Sequence, residues 1–205
     1  MSNSPDSRSL LLEAAERLLA REGLAACTTR RVAAEAGLPH GLVHYRFGSV
    51  ENLLLEVLDR EGERLVGRQR AVFEATTPLA ERWRSAIGLL DEDVTSGHAR
   101  VWHELQGFAR AHPAGRRRAA ACRLELRRPV AAALERAAED AGLETAPASA
   151  AAALVVNLWD GLSADRLLGV ERDHRELLAW IEALVSTVTS PVAQGRPPAV
   201  AVGST

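Results

Sequence analysis

Residues 28–47 read TTRRVAAEAGLPHGLVHYRF. This stretch holds two hydroxyls (Thr28, Thr29), three guanidinia (Arg30, Arg31, Arg46), two imidazoles (His40, His44) and a phenol (Tyr45), against a single carboxylate, Glu35. These side chains donate hydrogen bonds and carry positive charge. Their chemistry is the capture of an anion. Hydroxyls beside the free N–H groups of a helix start suit a phosphate. Gly41 lets a backbone approach its partner closely, and His40 beside it is able to meet base edges.

The elements that must hold these groups follow from periodicity. From Ser7 to Glu22, Leu11, Ala14, Ala15, Leu18 and Leu19 fall on one helical face, with Ser7 as N-cap and Gly23 as terminator. Thr28 caps a second helix with Val32, Ala33 and Ala36 inside, and Gly37 supplies the left-handed turn. A short third helix covers about 39–46. Val43 and Phe47 point inward, leaving His40, Gly41, His44, Tyr45 and Arg46 outward. Helix, glycine turn, helix is the helix-turn-helix outline, whose second helix enters the major groove.

Ser49 caps a long fourth helix at about 49–73 with Leu53, Leu54, Val57, Leu58 and Leu65 inside, and borders the same surface. Trp83, Ile87, Leu90 and Val94 form the next stripe, broken at Ser96-Gly97. Trp102, Leu105 and Phe108 form another, closed by His112-Pro113. A long helix at about 115–141 contains Pro129, where a kink is expected. Two apolar helices at 148–168 and 173–188 end the pattern. The tail SPVAQGRPPAVAVGST is rich in Pro and Gly and is expected to be disordered. The expected fold is all-α, with about nine helices. A helix-turn-helix DNA-binding domain occupies 1–48, a larger ligand-binding and dimerisation domain 49–189, and the tail 190–205.

Bulk properties agree. The chain has 205 residues, 47% of them hydrophobic, and is rich in Ala and Leu, a composition that favours helix. Its net charge is -2, so any nucleic-acid contact must be a local arrangement. Cys27 and Cys122 make neither a disulfide framework nor a metal spacing. His98, His103 and His112 form no i, i+4 pair, and no metal or cofactor is expected. No 18-residue apolar run exists and MSNSPDSRS is not ordered as a signal peptide, so a cytoplasmic protein without a membrane partner is expected. No nucleophile elbow, phosphate loop or dinucleotide glycine pattern appears, and an enzyme is not expected.

The segments LLLEAAERLLAREGL, TTRRVAAEAG and GLVHYRFGSVENLLLEVL, spaced without a gap, resemble the DNA-binding end of the tetracycline-repressor (TetR) family of transcriptional regulators. NLWDGLSADRLLG resembles the second-last helix of many members. The resemblance implies a homodimeric, all-helical regulator, most often a repressor, released from a DNA operator by a small ligand. It assigns DNA contact to Thr28, Thr29 and the positions Pro39 to Arg46, including Leu42. The family usually has Ser, Lys or Arg, Gly and Thr where this chain has Pro39, His40, Gly41 and Leu42. His44 stands for a common Tyr, and Val50 for a common Lys. Leu42 and Val50 cannot bond a phosphate, so a weaker half-site or a different operator is implied.

In the larger half, where the resemblance implies a ligand pocket, Trp83, Trp102, Phe108 and Trp159, interrupted by the polar His103, Gln106, Asn157 and Asp160, suit a mostly apolar lining for a small, partly hydrophobic effector. Each of these residues taken singly also suits plain core packing. Leu154, Leu158 and Leu162 with Leu177, Ile181, Leu184, Val185 and Val188 make an apolar surface too large to leave wet. Two such helices per subunit form a four-helix bundle and a twofold dimer. The run Arg116, Arg117, Arg118, Arg123, Arg127 and Arg128 reads as a solvated helix face. The alternatives are a DNA-binding regulator without a small-molecule ligand and a helical protein-interaction module.

Overall fold

The computed structural model describes residues 6–142 and 148–189; the expected tail at 190–205 lies outside the described residues. Among these there are nine α-helices, one short 3-10 turn and no strand: α1 Ser7–Glu22, α2 Thr29–Glu35, α3 Gly41–Phe47, α4 Val50–Phe73, α5 Leu79–Ser96, α6 His98–Ala111, α7 Pro113–Asp140, α8 Ala148–Leu167 and α9 His174–Thr189. No described helix is long and apolar enough to cross a membrane.

Local chemistry accounts for the boundaries. Thr28 Oγ1 accepts from the Arg31 amide at 3.3 Å and starts α2. Ser49 Oγ accepts from the Asn52 amide at 3.1 Å and starts α4, while Asn52 Nδ2 donates to the Phe47 carbonyl at 2.9 Å and ties α4 to α3. Gly37 adopts φ 68° between α2 and α3, where an L side chain is strained. At the first helix, Asp6 rather than Ser7 occupies the N-cap position, and Ser7 is already helical. Helix α7 runs through Pro129, which is buried.

Two apolar clusters fill the molecule. The first joins Leu11, Leu18, Val32, Val43 and Phe47 of α1–α3 to Leu53, Val57 and Leu58 of α4 and to Trp102, Leu105 and Phe108 of α6. The head therefore shares its core with α4 and α6, and a cut after residue 48 would strip that core. The second cluster packs Phe73, Leu79 and Ala86 against Val130, Ala133 and Ala152.

Polar ties fix the head on the body. The Leu24 amide donates to Glu104 Oε2 at 2.9 Å, and Arg100 Nη1 donates to the Arg21 carbonyl at 3.2 Å. Glu16 of α1 is half-buried at this junction, with Arg60 Nε 3.3 Å away but not aligned for a hydrogen bond. Burial, partly offset by Arg60, pushes its carboxyl up to about 7.

Two stability predictions follow from this geometry. Gly37→Ala lowers stability by ~1 kcal/mol through backbone strain alone, whereas Gly67→Ala, in open space within α4, raises it by up to ~1 kcal/mol. Melting curves check the pair, and equal signs refute the backbone argument. The raised Glu16 pKa means that the native state holds this proton more tightly than the unfolded chain. Its contribution is present below pH 4.5 and is lost as pH rises toward about 7. Glu16→Gln should accordingly stabilise the protein above pH 7, with the gain vanishing below pH 4.5, as urea unfolding at several pH values would read.

Candidate nucleic-acid interface and internal cavity

The α2–α3 unit presents the expected groups on one outer surface. Thr28, Arg30, Arg31, Pro39, His40, Gly41, His44, Tyr45 and Arg46 are all exposed, while Val43 and Phe47 beneath them are buried. Tyr45 is 79% exposed, a costly position for an aromatic side chain that has no outside partner. Thr29 is half-buried.

The polar atoms divide between internal and outward duties. The Thr28 oxygen accepts as a cap, which leaves its O–H proton available to donate. Arg31 Nη2 bonds Glu22 Oε1 at 2.8 Å. His44 Nδ1 lies 3.1 Å from the Gly48 carbonyl, so that nitrogen carries the proton and Nε2 faces away. The Arg46 guanidinium rests 5.6 Å from the Tyr45 ring centroid, and its Nη2 lies 3.5 Å from Asp6. Glu35 is turned from the surface by α1. Arg21 at 2.8 Å and Arg17 at 2.9 Å hydrogen-bond its carboxylate and hold its pKa down to about 2.

Two expected contacts are drawn inward. Leu42 is half-buried and packs on the head core, because an apolar side chain next to Val43 gains by burial there. Ser49 is half-buried: its oxygen caps α4, and its hydroxyl supports the Glu51 carboxylate. The Glu51 backbone N–H and then Ser49 hold that carboxyl below its usual range. With Val50 beside it, the start of α4 thus offers an anion and no cation. Sequence inspection missed Glu51, although an acid in the first turn after a Ser cap is a familiar stabilising pattern.

A cavity of about 50 Å³ lies among α4–α8, lined by Leu65, Gln69, Leu90, Asp93, Ala99, Trp102, Leu126, Val130, Val155, Val156, Trp159, Asp160 and Ser163. Of the expected pocket residues, Trp102, Trp159 and Asp160 line it. His103 stands one shell behind, its Nε2 donating to Ser163 Oγ at 2.7 Å while Ser163 donates to the Asp160 carbonyl. Burial, then Arg110 and Arg123, lowers the His103 pKa. The rest fall elsewhere. Trp83 is buried in α5 away from the lining, and Phe108 packs in the head core with its ring stacked on His112 at 4.1 Å. Gln106 is half-buried off the cavity, and Asn157 is exposed with its Oδ1 bonded to Arg123 at 2.8 Å. Arg123 is itself part-buried and pairs with Asp160, so it leaves the solvated face expected for the arginine run.

Behind the cavity wall lies a buried ionic chain that periodicity did not reveal. Glu61, 1% exposed, accepts from Arg64 Nε at 3.1 Å, and its other oxygen meets His98 Nδ1 at 2.9 Å. Arg64 Nη1 donates to Asp93 Oδ1 at 2.8 Å; Arg68 reaches the same oxygen and also Glu92. The available signal was Asp93 interrupting the α5 stripe between Leu90 and Val94.

On the outer face of α8 and α9, Leu154 is 70% and Leu184 46% exposed, and Leu158, Leu177 and Ile181 are half-buried. Leu162, 3% exposed, is buried within the subunit, and Val185 packs on the second cluster, so both point away from that face. The side chain of Val188 lies outside the described residues. Trp180 is 63% exposed and joins the apolar face.

Comparison with known proteins agrees with this geometry. Residues 11–57 match the family model described as bacterial regulatory proteins, tetR family. The HTH-type transcriptional repressor KstR2 of Mycobacterium tuberculosis is 32% identical over 94 residues, 46% of this chain and 47% of the relative, so the match spans about half the length of each. A Rhodococcus protein described as a TetR-family transcriptional regulator superposes with a TM-score of 0.73 at 23% identity, over 91% of this chain and 100% of its own. A Saccharomonospora viridis protein described as a transcriptional regulator, crystallised in complex with choline, does so with a TM-score of 0.73 at 21% identity, over 89% and 96%. At such identities the structural likeness is one of fold. The family match over 11–57, the curated relative and the shared architecture make this chain similar to the tetR family of bacterial regulatory proteins, in sequence at its head and in fold throughout the described residues.

Proposed function

We propose that this protein is a cytoplasmic, homodimeric transcriptional repressor that binds a near-palindromic operator and is released from it by a small, partly hydrophobic molecule. In this reading 1–48 is the DNA-binding domain and 49–189 the ligand-binding and dimerisation domain. The observation that carries it is the outward α3 surface of His40, His44, Tyr45 and Arg46 over a buried Val43 and Phe47. Phosphates meet Thr28, Arg30, Arg31 and Arg46; His40 and Gly41 meet base edges. The exposed apolar face of α8 and α9 supports pairing in a four-helix bundle, which sets the spacing of the two α3 helices. The choline complex of the Saccharomonospora neighbour supports a small effector in this chain. An effector shifts operator affinity only by its preference for one of two conformers, typically ~1–3 kcal/mol of coupling. The cavity of about 50 Å³ favours, as second reading, a regulator without a ligand. A thermal-shift screen in which no apolar compound stabilises the chain would select that reading.

Fluorescence anisotropy on a duplex selected from a random pool tests DNA binding. With about 6 phosphate contacts per dimer, log affinity against log salt has a slope of roughly -5. Arg46→Ala weakens binding to all duplexes, and His40→Ala relaxes base preference by roughly 1–3 kcal/mol per specific pair lost. Val50→Lys places a cation at the start of α4 in each subunit and steepens the dimer's slope by roughly 2. A slope near zero refutes the interface. Light scattering should give a dimer at micromolar concentration, and Trp180→Glu with Leu154→Glu should give a folded monomer; a monomeric parent chain contradicts the twofold.

A further inference from the structure

The cavity wall has a definite electrostatic character. It carries two carboxylates, Asp93 and Asp160, and two indoles, Trp102 and Trp159, and none of its described lining residues is Arg or His. The arginines that meet these carboxylates do so from outside the lining: Arg64 and Arg68 at Asp93, and Arg123 at Asp160. An anion entering this space would face carboxylates with no cation on the wall. A purely apolar guest would fill the aliphatic part but offer neither acid a partner. A cation meets both features, since indole faces and carboxylates each attract positive charge. The charge balance agrees. Around Arg64 and Arg68 stand Glu61, Asp93 and Glu92, three carboxylates against two guanidinia, with His98 adding charge only when protonated.

Resting on the effector role proposed above, we infer that the cavity takes an organic cation with an apolar body, a quaternary or protonated amine, and that its charge competes with Arg64 and Arg68 for Asp93. The competition has a mechanical consequence. Arg64 and Arg68 belong to α4, and Asp93 to α5. A cation at Asp93 therefore loosens the tie between these helices and leaves Arg64 to Glu61, whose other oxygen holds His98 of α6. Helix α4 also carries Leu53, Val57 and Leu58 of the head core, and Trp102 belongs both to that core and to the cavity wall. Occupancy is thus felt where the head is seated. Drug-sized guests need about 300–1,000 Å³, so a body larger than the present cavity must part the helices around it.

The test titrates the full chain with three probes of related shape: benzyltrimethylammonium, its uncharged carbon isostere neopentylbenzene, and the anion phenylmethanesulfonate. Tryptophan fluorescence and thermal shift report binding, and anisotropy on the selected duplex reports release. The expected result is saturable binding of the cation, about tenfold weaker binding of the neutral isostere, and none of the anion. Asp93→Asn should weaken the cation about tenfold and leave neopentylbenzene unchanged. Because Asp93→Asn also strips two half-buried arginines of a partner, Asp160→Asn, which removes the partner of one arginine, provides a milder variant, expected to weaken the cation severalfold with a smaller loss of melting temperature. Equal binding of the neutral or anionic probe overturns the cation assignment while the cavity stands as an effector site. Cation binding unaffected by both substitutions overturns it by placing the ligand elsewhere. Failure of all three probes in a chain that binds the duplex overturns it and selects the ligand-free reading. A chain that binds no duplex fails the function proposed above, and the titration then judges the cation site alone.

Discussion

Arg64 stands between two buried carboxylates, Glu61 on its own helix and Asp93 on α5, and the arrangement of the larger half turns on that placement. Removing such groups from water costs several kcal/mol per ion unless each is paired. The pairing is met from three helices: α4 supplies Glu61, Arg64 and Arg68, α5 supplies Asp93, and α6 supplies His98. Apolar side chains in the same places would pack α4 and α5 as tightly, but would leave no group for a polar guest to displace. The ionic chain thus joins α4, α5 and α6 through groups that a polar guest could compete for.

The head is built differently. Its core is apolar and continuous with α4 and α6, so the α2–α3 surface is seated on those helices. The short turn at Gly37 and the caps at Thr28 and Ser49 hold α3 rigidly, and its outer residues form no part of the core. Helix α4 carries both the head core at Leu53, Val57 and Leu58 and the arginines that meet Asp93, so one element joins the two regions.

Much of this was legible in the sequence. Thr28, Gly37, Ser49 and Gly97 marked element boundaries because cap hydrogen bonds and positive φ are local demands that particular residue types meet. Val43 and Phe47 declared the inner side of α3 by spacing alone. The cavity was less legible, since five helices contribute to it and no local rule says which apolar stripes meet. Trp83 and Trp159 look alike as residues, yet one is in the core and the other on the cavity wall. In α8, Ala, Leu and Val occupy nearly every side, so periodicity could not separate the exposed Leu154 from the buried Leu162. Trp180 was passed over because a large aromatic is ordinarily placed inside. The departures at Leu42 and Val50 were visible, but their consequence, an α4 start carrying Glu51 without a cation, emerged only from the packing.

The central claim is that two copies of α3, held by a twofold, bind one duplex together. Enrichment of bound sequences from a random pool, with the mass of the resulting complex measured in solution, addresses it most directly. The account predicts an inverted repeat whose half-sites lie about one helical turn or more apart, occupied by two or a multiple of two subunits. A single unpaired motif, or a complex holding one subunit, would contradict it.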